Sequence, residues 1–323
     1  MSQLLFLIAS HTNPDQVLRL VKTLKSGSSD CQIVIHHDRS KSVLDSAAFA
    51  PFKDVHIFEN PIVTGWGDFS LVELELRCID WILKHSIPFD WLILLSGQDY
   101  PIQPIQKMEQ FLSTTEHDGF VEYFPAFRPS EMTNNDWHKD IGVERYCYRY
   151  YRLPLFLKWL VYKLYRVVDW QRLIRVRSGR FGTKLAIRRC FTPFTQDFEC
   201  YAGSQWHTLS HRCVEYIHEF VQKNPDFVSH YRTTMIPDES FFQTILVNNH
   251  SLNICNNNFR YVSWEPPYPA TMQASDFESL IHSGKFFARK FDDTVDDRIF
   301  DLLDQSFDID LDQDRRSFVA KQS

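Results

Sequence analysis

The first 125 residues alternate between short apolar runs and longer stretches of helical period, and this alternation limits the possible folds more than any other feature. "QLLFLIAS", "CQIVIHHD", "VHIFEN", "FDWLILLSG" and "GFVEYF" read as strands. "NPDQVLRLVKTLKS", "DFSLVELELRCIDWILKHS" and "IQKMEQFLSTT" lie among them with apolar residues three and four apart. The first of these helices carries its own start signal, an Asn cap followed by Pro. Strand, helix and strand in succession favour parallel pairing, because a parallel neighbour needs a crossover connection. The expected class is therefore α/β, with a mostly parallel, Rossmann-like central sheet flanked by helices. Such sheets bind ligands beyond the carboxyl ends of their strands. That directs attention to Ser10-His11, His36-His37-Asp38 and Ser96-Gly97-Gln98-Asp99.

Residues 126 to 190 break the alternation. "LPLFLKWLVYKLYRVVDW" has the pattern of a basic amphipathic helix, and between Arg145 and Arg189 only Asp169 opposes a long series of cations. The helix either packs on the domain with Lys and Arg reaching outward, or rests on an anionic membrane surface. "ECYAGSQWHTLSHRCVEYIHEFV" reads as a turn and then a helix, "PDESFFQTIL" as a second helix, and "NICNNNFRYVSW" as a strand. From Asp292 to Asp314 the charge reverses, and the stretch reads as an acidic tail. No internal repeat or low-complexity linker interrupts the chain.

Composition closes off several classes. A hydrophobic fraction of 44% with 15% aromatics fits a folded core and not a disordered chain. A net charge of -6 argues against a general nucleic-acid binder. The seven cysteines are scattered without a CxxC pair, which disfavours a zinc site and suits reduced thiols. "MSQLLFLIAS" lacks the basic start and long apolar run of a signal peptide, and no stretch reaches membrane-span length. A cytoplasmic protein is expected.

The chemistry is narrower. GxGxxG, P-loop and GxSxG motifs are absent, which lowers the case for a dinucleotide enzyme, an NTPase or a serine hydrolase. Asp-x-Asp occurs only at Asp308 to Asp314, within the acidic tail, and reads as tail rather than metal ligand. Arg260, Arg289 and Lys290 could neutralise a diphosphate in place of a metal, or could be surface cations balancing the tail. In "PDESFFQTIL", Asp238 and Glu239 stand before an apolar run. Acids there favour a helix start through its unpaired N–H groups, and one of them could equally be a base.

Several blocks, in order between residues 4 and 292, resemble the core-2/I-branching family of glycosyltransferases, which includes β-1,6-N-acetylglucosaminyltransferases and protein xylosyltransferases. They are "IHHDRS", "TGWGDFSLVE", "LLSGQDYPI", "YAGSQWHTLS", "PDESFFQTIL", "FRYVSW" and "FFARKFD". The resemblance implies a GT-A-like fold and an inverting transfer from a UDP-sugar that needs no metal and no cofactor. It implies UDP-GlcNAc as donor, with UDP-xylose as the alternative. By that likeness Glu239 is the general base. His11, His36 and Asp38 hold the nucleotide, and Arg260, Arg289 and Lys290 hold its diphosphate. Glu144, Arg145, Ser204, Trp206 and Asp238 lie on the side of the acceptor, a glycan or a lipid-linked saccharide. A single catalytic domain over 1–292 is expected, with a nucleotide-sugar half at 1–125, an acceptor half at 126–292 containing a basic helical segment at 145–190, and the acidic tail at 293–323. The chain lacks the family's anchor, stem and disulfide scaffold, so an enzyme at the inner membrane face is the expectation, with the helix at 155–168 suited to a lipid-linked acceptor. A binding protein that keeps the fold without catalysis, and a metal-dependent transferase using the C-terminal Asp runs, are the competing readings.

Overall fold

The structure is a computed structural model that describes residues 2–128, 139–152, 173–179, 182–265 and 268–307. Its chain order opens with β1 (Leu4–Ser10), α1 (Pro14–Gly27), β2 (Gln32–His37), β3 (Val55–Ile57), α2 (Ser70–Lys84), β4 (Trp91–Ser96), β5 (Asp99–Pro101), α3 (Ile105–Thr114) and β6 (Gly119–Pro125). It continues with α4 (Lys139–Tyr146), β7 (Tyr148–Arg152), β8 (Ile174–Gly179), β9 (Gly182–Arg188), β10 (Tyr201–Ser210), α5 (His211–Lys223), α6 (Pro225–Tyr231) and α7 (Phe241–Val247). The last elements are β11 (Ile254–Cys255), β12 (Arg260–Val262), β13 (Trp264–Glu265), β14 (Tyr268–Pro269), α8 (Phe277–Ile281) and β15 (Phe287–Arg289).

The central sheet has seven strands in the order β11-β6-β10-β4-β1-β2-β3. β1 runs parallel to β2 and β4, β2 to β3, and β11 to β6, while β10 alone runs antiparallel to its neighbours β4 and β6. The mostly parallel α/β class is as the sequence implied. β1 shows why the sheet must be covered twice. Leu5 and Leu7 pack with α2, α5 and α7 on one face, and Leu4, Phe6 and Ile8 pack with α1 and α3 on the other. Strands buried on both faces lose the polar alternation of a half-exposed sheet, and each fully buried Leu, Ile or Phe contributes roughly 1.5–3 kcal/mol. α1 begins where its cap predicts: Asn13 Oδ1 accepts the Gln16 N–H at 3.2 Å, with Pro14 in the first turn.

Four expectations change. Residues 201–210 form a ten-residue strand in the middle of the sheet, not a turn. Gly203 and several polar residues obscure it, yet only Gly fits there, since a Cβ at 203 would lie 1.8 Å from the Glu122 carbonyl oxygen. Because β10 inserts between β4 and β6, the two sequence halves do not separate in space.

Within the basic segment 145–190, expected to be helical, the described residues after α4 form a three-stranded antiparallel sheet, β7-β9-β8, on either side of the stretch expected to carry the helix. The amphipathic stretch at 155–168 lies outside the described residues. "NICNNNFRYVSW" gives two short strands, β11 and β12, in different sheets. Finally, the domain does not end at 292. Residues 298–307 are helical, and Ile299, Phe300 and Leu303 are fully buried against Tyr100 and α1. Arg19 of α1 pairs with Asp301 at 2.6 Å and Asp304 at 3.0 Å, so part of the acid-rich stretch is pinned to the fold. The Asp-x-Asp runs at 308–314 lie outside the described residues.

Candidate active site

The polar residues past the carboxyl ends of β1 and β2 fold into a hydrogen-bonded cradle. The Asp38 N–H donates to the Ser10 carbonyl at 2.8 Å. One oxygen of Asp38 accepts the Thr64 N–H at 2.8 Å and the Thr64 hydroxyl at 3.1 Å, and the other accepts the Ser40 N–H at 2.9 Å. Burial raises the carboxyl's pKa, but these donors outweigh it and hold Asp38 at about 2. Ser10 and His37 share a hydrogen bond of 2.9 Å beside it. His11 is partly exposed at the rim, and burial together with Lys41 lowers its pKa; Lys290 also acts on it electrostatically. His36 points into the protein. It is fully buried, its Nε2 accepts the Ile62 N–H at 3.0 Å, and burial lowers it to about 4. A neutral His36 therefore braces the loop that carries Thr64, and its ring is not open to a ligand.

A second group gathers where β5, β12 and β15 form a small sheet against the end of β4. Arg260 is 5% exposed. Its guanidinium lies 4.7 Å from the Phe287 ring centroid and reaches the Leu94 carbonyl at 3.3 Å. Burial lowers it to about 10, with Asp99 opposing the shift. Arg289 lies directly across from Asp99 in the β15–β5 register, Nε to Oδ1 at 3.4 Å. The guanidinium of Arg289 also stacks 4.4 Å from the Trp206 ring centroid. Two cations thus face one buried carboxylate. Arg260 Nε, Arg289 Nε and Asp99 Oδ1 are all buried without a hydrogen-bond partner. Buried cations left with incomplete partners are costly unless an anion joins them.

The third group is the Pro237–Glu239 turn. It is a single 3₁₀ turn, and α7 starts only at Phe241. The break falls at Ser240, whose hydroxyl donates to the Tyr201 carbonyl at 2.6 Å and ties the turn to β10. Glu239 sits one-third exposed, with Oε2 accepting from Arg145 of α4 at 2.6 Å. Asp238 beside it is buried, and its Oδ1 has no partner. Burial and the adjacent Glu239 push the Asp238 carboxyl well above the usual range, so at neutral pH it carries a proton. The two acids of the motif therefore meet different surroundings, Asp238 in the interior and Glu239 against Arg145. Gly67, with φ at +69°, lets the "TGWGD" loop close on this turn, its carbonyl accepting the Ile236 N–H at 3.1 Å.

The remaining expected residues fall as follows. Arg145 meets Glu239, whereas Glu144, one helical step away, pairs with Arg175. Ser204 and Trp206 lie in a bulge of β10, where the register with β6 shifts between Gly203 and His207. The Ser204 carbonyl accepts from Gln243 Nε2 at 2.6 Å. Arg289 and Trp206 come together, as do His11 and Asp38. Three residues near the turn were not anticipated: Asp68, ion-paired with Arg152 and with Lys184 at 3.4 Å. Asp68 lies within the "TGWGDF" block, but nothing in the sequence signalled that two cations of the basic segment would bind it.

These three groups mark an α/β protein whose candidate site lies on the carboxyl edge of its sheet, where Arg260 and Arg289 gather around Asp99 and Glu239 pairs with Arg145. Residues 5–145 and 163–283 match the family described as Core-2/I-Branching enzyme, and the chain belongs to that family of glycosyltransferases. It is 24% identical over 279 residues to "Xylosyltransferase 2" of Mus musculus, covering 78% of this chain and 27% of that one. It is 25% identical over 297 residues to "Xylosyltransferase 1" of Homo sapiens, covering 84% and 27%. "Beta-glucuronosyltransferase GlcAT14C" of Arabidopsis thaliana is 26% identical over 269 residues, covering 77% and 60%. The chain thus spans about a quarter of the xylosyltransferases and three-fifths of the plant protein. Solved structures superpose only loosely: a putative glucose-1-phosphate thymidylyltransferase from Bacillus anthracis aligns over 67% of this chain and 75% of that one, with TM-score 0.31 and 8% identity.

Proposed function

We propose that the chain transfers a sugar from a UDP-sugar to a hydroxyl of a glycan or lipid-linked acceptor, with inversion, on a GT-A-like scaffold. The observation that carries this reading is the pair of guanidiniums, buried Arg260 and partly buried Arg289, facing the single carboxylate of Asp99. A diphosphate supplies the missing negative charge. Fixed cations then stabilise the charge that grows on the leaving group, so no metal is required of the site. We assign His11 and Asp38 to the nucleoside and Lys290 to the diphosphate; the support is that Asp38 and Lys290 both act electrostatically on His11.

Glu239 is the general base. The acceptor oxygen attacks the anomeric carbon, the bond from that carbon to the β-phosphate oxygen breaks, and UDP leaves with the electron pair. The acceptor proton passes to Glu239. One carboxylate suffices for a single displacement, and of the two acids in the turn Glu239 is the one-third exposed one while Asp238 is buried. Arg145 orients Glu239 through Oε2. The transferred sugar is GlcNAc in our reading, with xylose as the alternative. The names of the relatives add glucuronic acid to the donors to be tried.

The test is UDP release from UDP-GlcNAc, UDP-xylose and UDP-glucuronic acid with EDTA present, over a panel of galactoside and lipid-linked acceptors. Wild type should turn over one donor in EDTA, and Glu239→Gln should lose about 10²–10⁴-fold in rate while still binding UDP. Equal rates in the two proteins would remove Glu239 as base. Loss of activity in EDTA, restored by a divalent cation, would refute metal independence.

A further inference from the structure

The site as read so far assigns Trp206 to the acceptor, through the resemblance alone. Its surroundings point elsewhere. The ring is 6% exposed. A ring that stacks on an acceptor sugar must offer a free face, and this one is already covered. The group stacked on it is the Arg289 guanidinium, 4.4 Å from the ring centroid. Trp206 reaches that place because β10 bulges between Gly203 and His207, which takes it out of register with β6. On the other side Arg289 meets Asp99 at 3.4 Å. That distance counts as an ion pair, but neither Arg289 Nε nor Asp99 Oδ1 has a hydrogen-bond partner, so the contact is electrostatic and not a directed bond. Asp99 is itself fixed: it is 1% exposed and accepts the Ser96 N–H with its other oxygen. An arginine has many rotamers to lose on binding, and a planar guanidinium between an indole and a buried carboxylate has already lost them.

We infer that Trp206 and Asp99 are positioning residues for the donor, which clamp Arg289 so that its guanidinium meets the diphosphate in one orientation. The inference rests on the donor reading above and deepens it. Trp206 acts as a platform for the cation, since an indole face attracts a guanidinium and excludes water from it. Asp99 sets the rotation of the same group and offsets part of the buried positive charge of Arg260. Both act through Arg289, and neither is required to touch the acceptor.

The experiment compares the binding of UDP with that of uridine by calorimetry, in wild type, Trp206→Leu, Trp206→Phe and Asp99→Asn, with no acceptor present. The ratio of the two dissociation constants isolates the diphosphate from the nucleoside. Wild type should prefer UDP strongly. Trp206→Leu should reduce that preference about tenfold, in the range a desolvated cation–π contact supplies, with uridine affinity unchanged. Trp206→Phe should recover most of it, since a phenyl face still receives the cation. Asp99→Asn should also reduce the preference, because losing the fixed rotation of Arg289 outweighs the positive charge left uncompensated; an increased preference would remove Asp99 from the clamp. Steady-state kinetics should then show a raised donor KM and an unchanged acceptor KM in Trp206→Leu. If wild type does not prefer UDP to uridine, the donor reading itself fails. If wild type prefers UDP and Trp206→Leu keeps the full preference, or if its acceptor KM alone rises, the clamp is refuted and Trp206 returns to the acceptor. Uridine binding serves as the folding control: a variant that loses it equally has lost its structure, and the Phe variant then decides.

Discussion

Asp238→Asn offers a test of the central turn that needs no substrate. In the native protein Asp238 is buried at 4% exposure, one of its oxygens lacks a partner, and it faces Glu239 on its own turn, Asp68 on the "TGWGD" loop and Arg145 on α4. Of these only Arg145 favours the ionised form, and Arg145 is already engaged by Glu239. The carboxyl's pKa is therefore raised from an unfolded value near 3.8 to above neutrality. For an acid shifted this way, the native state keeps a proton that the unfolded chain has lost. Stability then falls as pH rises from the unfolded value toward the native one, by about 1.4 kcal/mol per pH unit. Asn cannot ionise, so its stability lacks this slope. Between pH 5 and 7 the variant should gain about 2–3 kcal/mol on wild type, twice the unit slope, with the upper end reached only if Glu239 stays as it is. The assay is urea unfolding of both proteins at pH 5, 6 and 7, read as the difference in unfolding free energy at each pH. Taking the difference cancels every titrating group that does not interact with Asp238. A flat difference across that range would show that Asp238 ionises normally, and the neutral state assigned to Asp238 would fall with it.

Other outcomes follow from single contacts. Phe300→Ala should cost roughly 3–5 kcal/mol in urea unfolding, because the ring is fully buried and meets Tyr100 at 4.8 Å between centroids; a loss below 1 kcal/mol would mean that residues 298–307 are not part of the core. Asp38 is held at about 2 against 3.8 unfolded, so it adds about 2 kcal/mol of stability that is present above pH 4 and lost as pH falls toward 2. Asp38→Asn should therefore be less stable than wild type at pH 6 and nearly equal to it at pH 2, and a pH-independent gap would contradict that cause. Gly203→Ala places a Cβ 1.8 Å from the Glu122 carbonyl; it should split β10 from β6 and abolish soluble expression, and a native circular-dichroism spectrum with unchanged Tm would refute the close approach.

Much of this protein could be read from its sequence. The βαβ opening was legible because each element there is local: β1 to β4 and α1 to α2 are contiguous apolar runs whose period decides between strand and helix. The polar residues at the strand ends were legible as a candidate site because open α/β sheets bind ligands beyond the carboxyl ends of their strands. The role proposed for Glu239 came only through resemblance, because two acids before an apolar run also start an ordinary helix.

The tertiary structure decided everything that depends on distant residues. β10 was hidden because a strand in the centre of a sheet is stabilised by its neighbours' hydrogen bonds and not by its own propensity, so Gly203, Ser204 and His207 did not forbid it. The acid-rich stretch looked like a tail because Asp dominates its composition, yet Ile299, Phe300 and Leu303 fall on one helical face and α1 supplies Arg19 to meet Asp301 and Asp304. The contrast between Asp238 and Glu239 has the same origin. Adjacent residues of one chemical type share a local sequence, but one faces the low-dielectric interior and the other an arginine from α4, and only the folded chain determines which environment each receives.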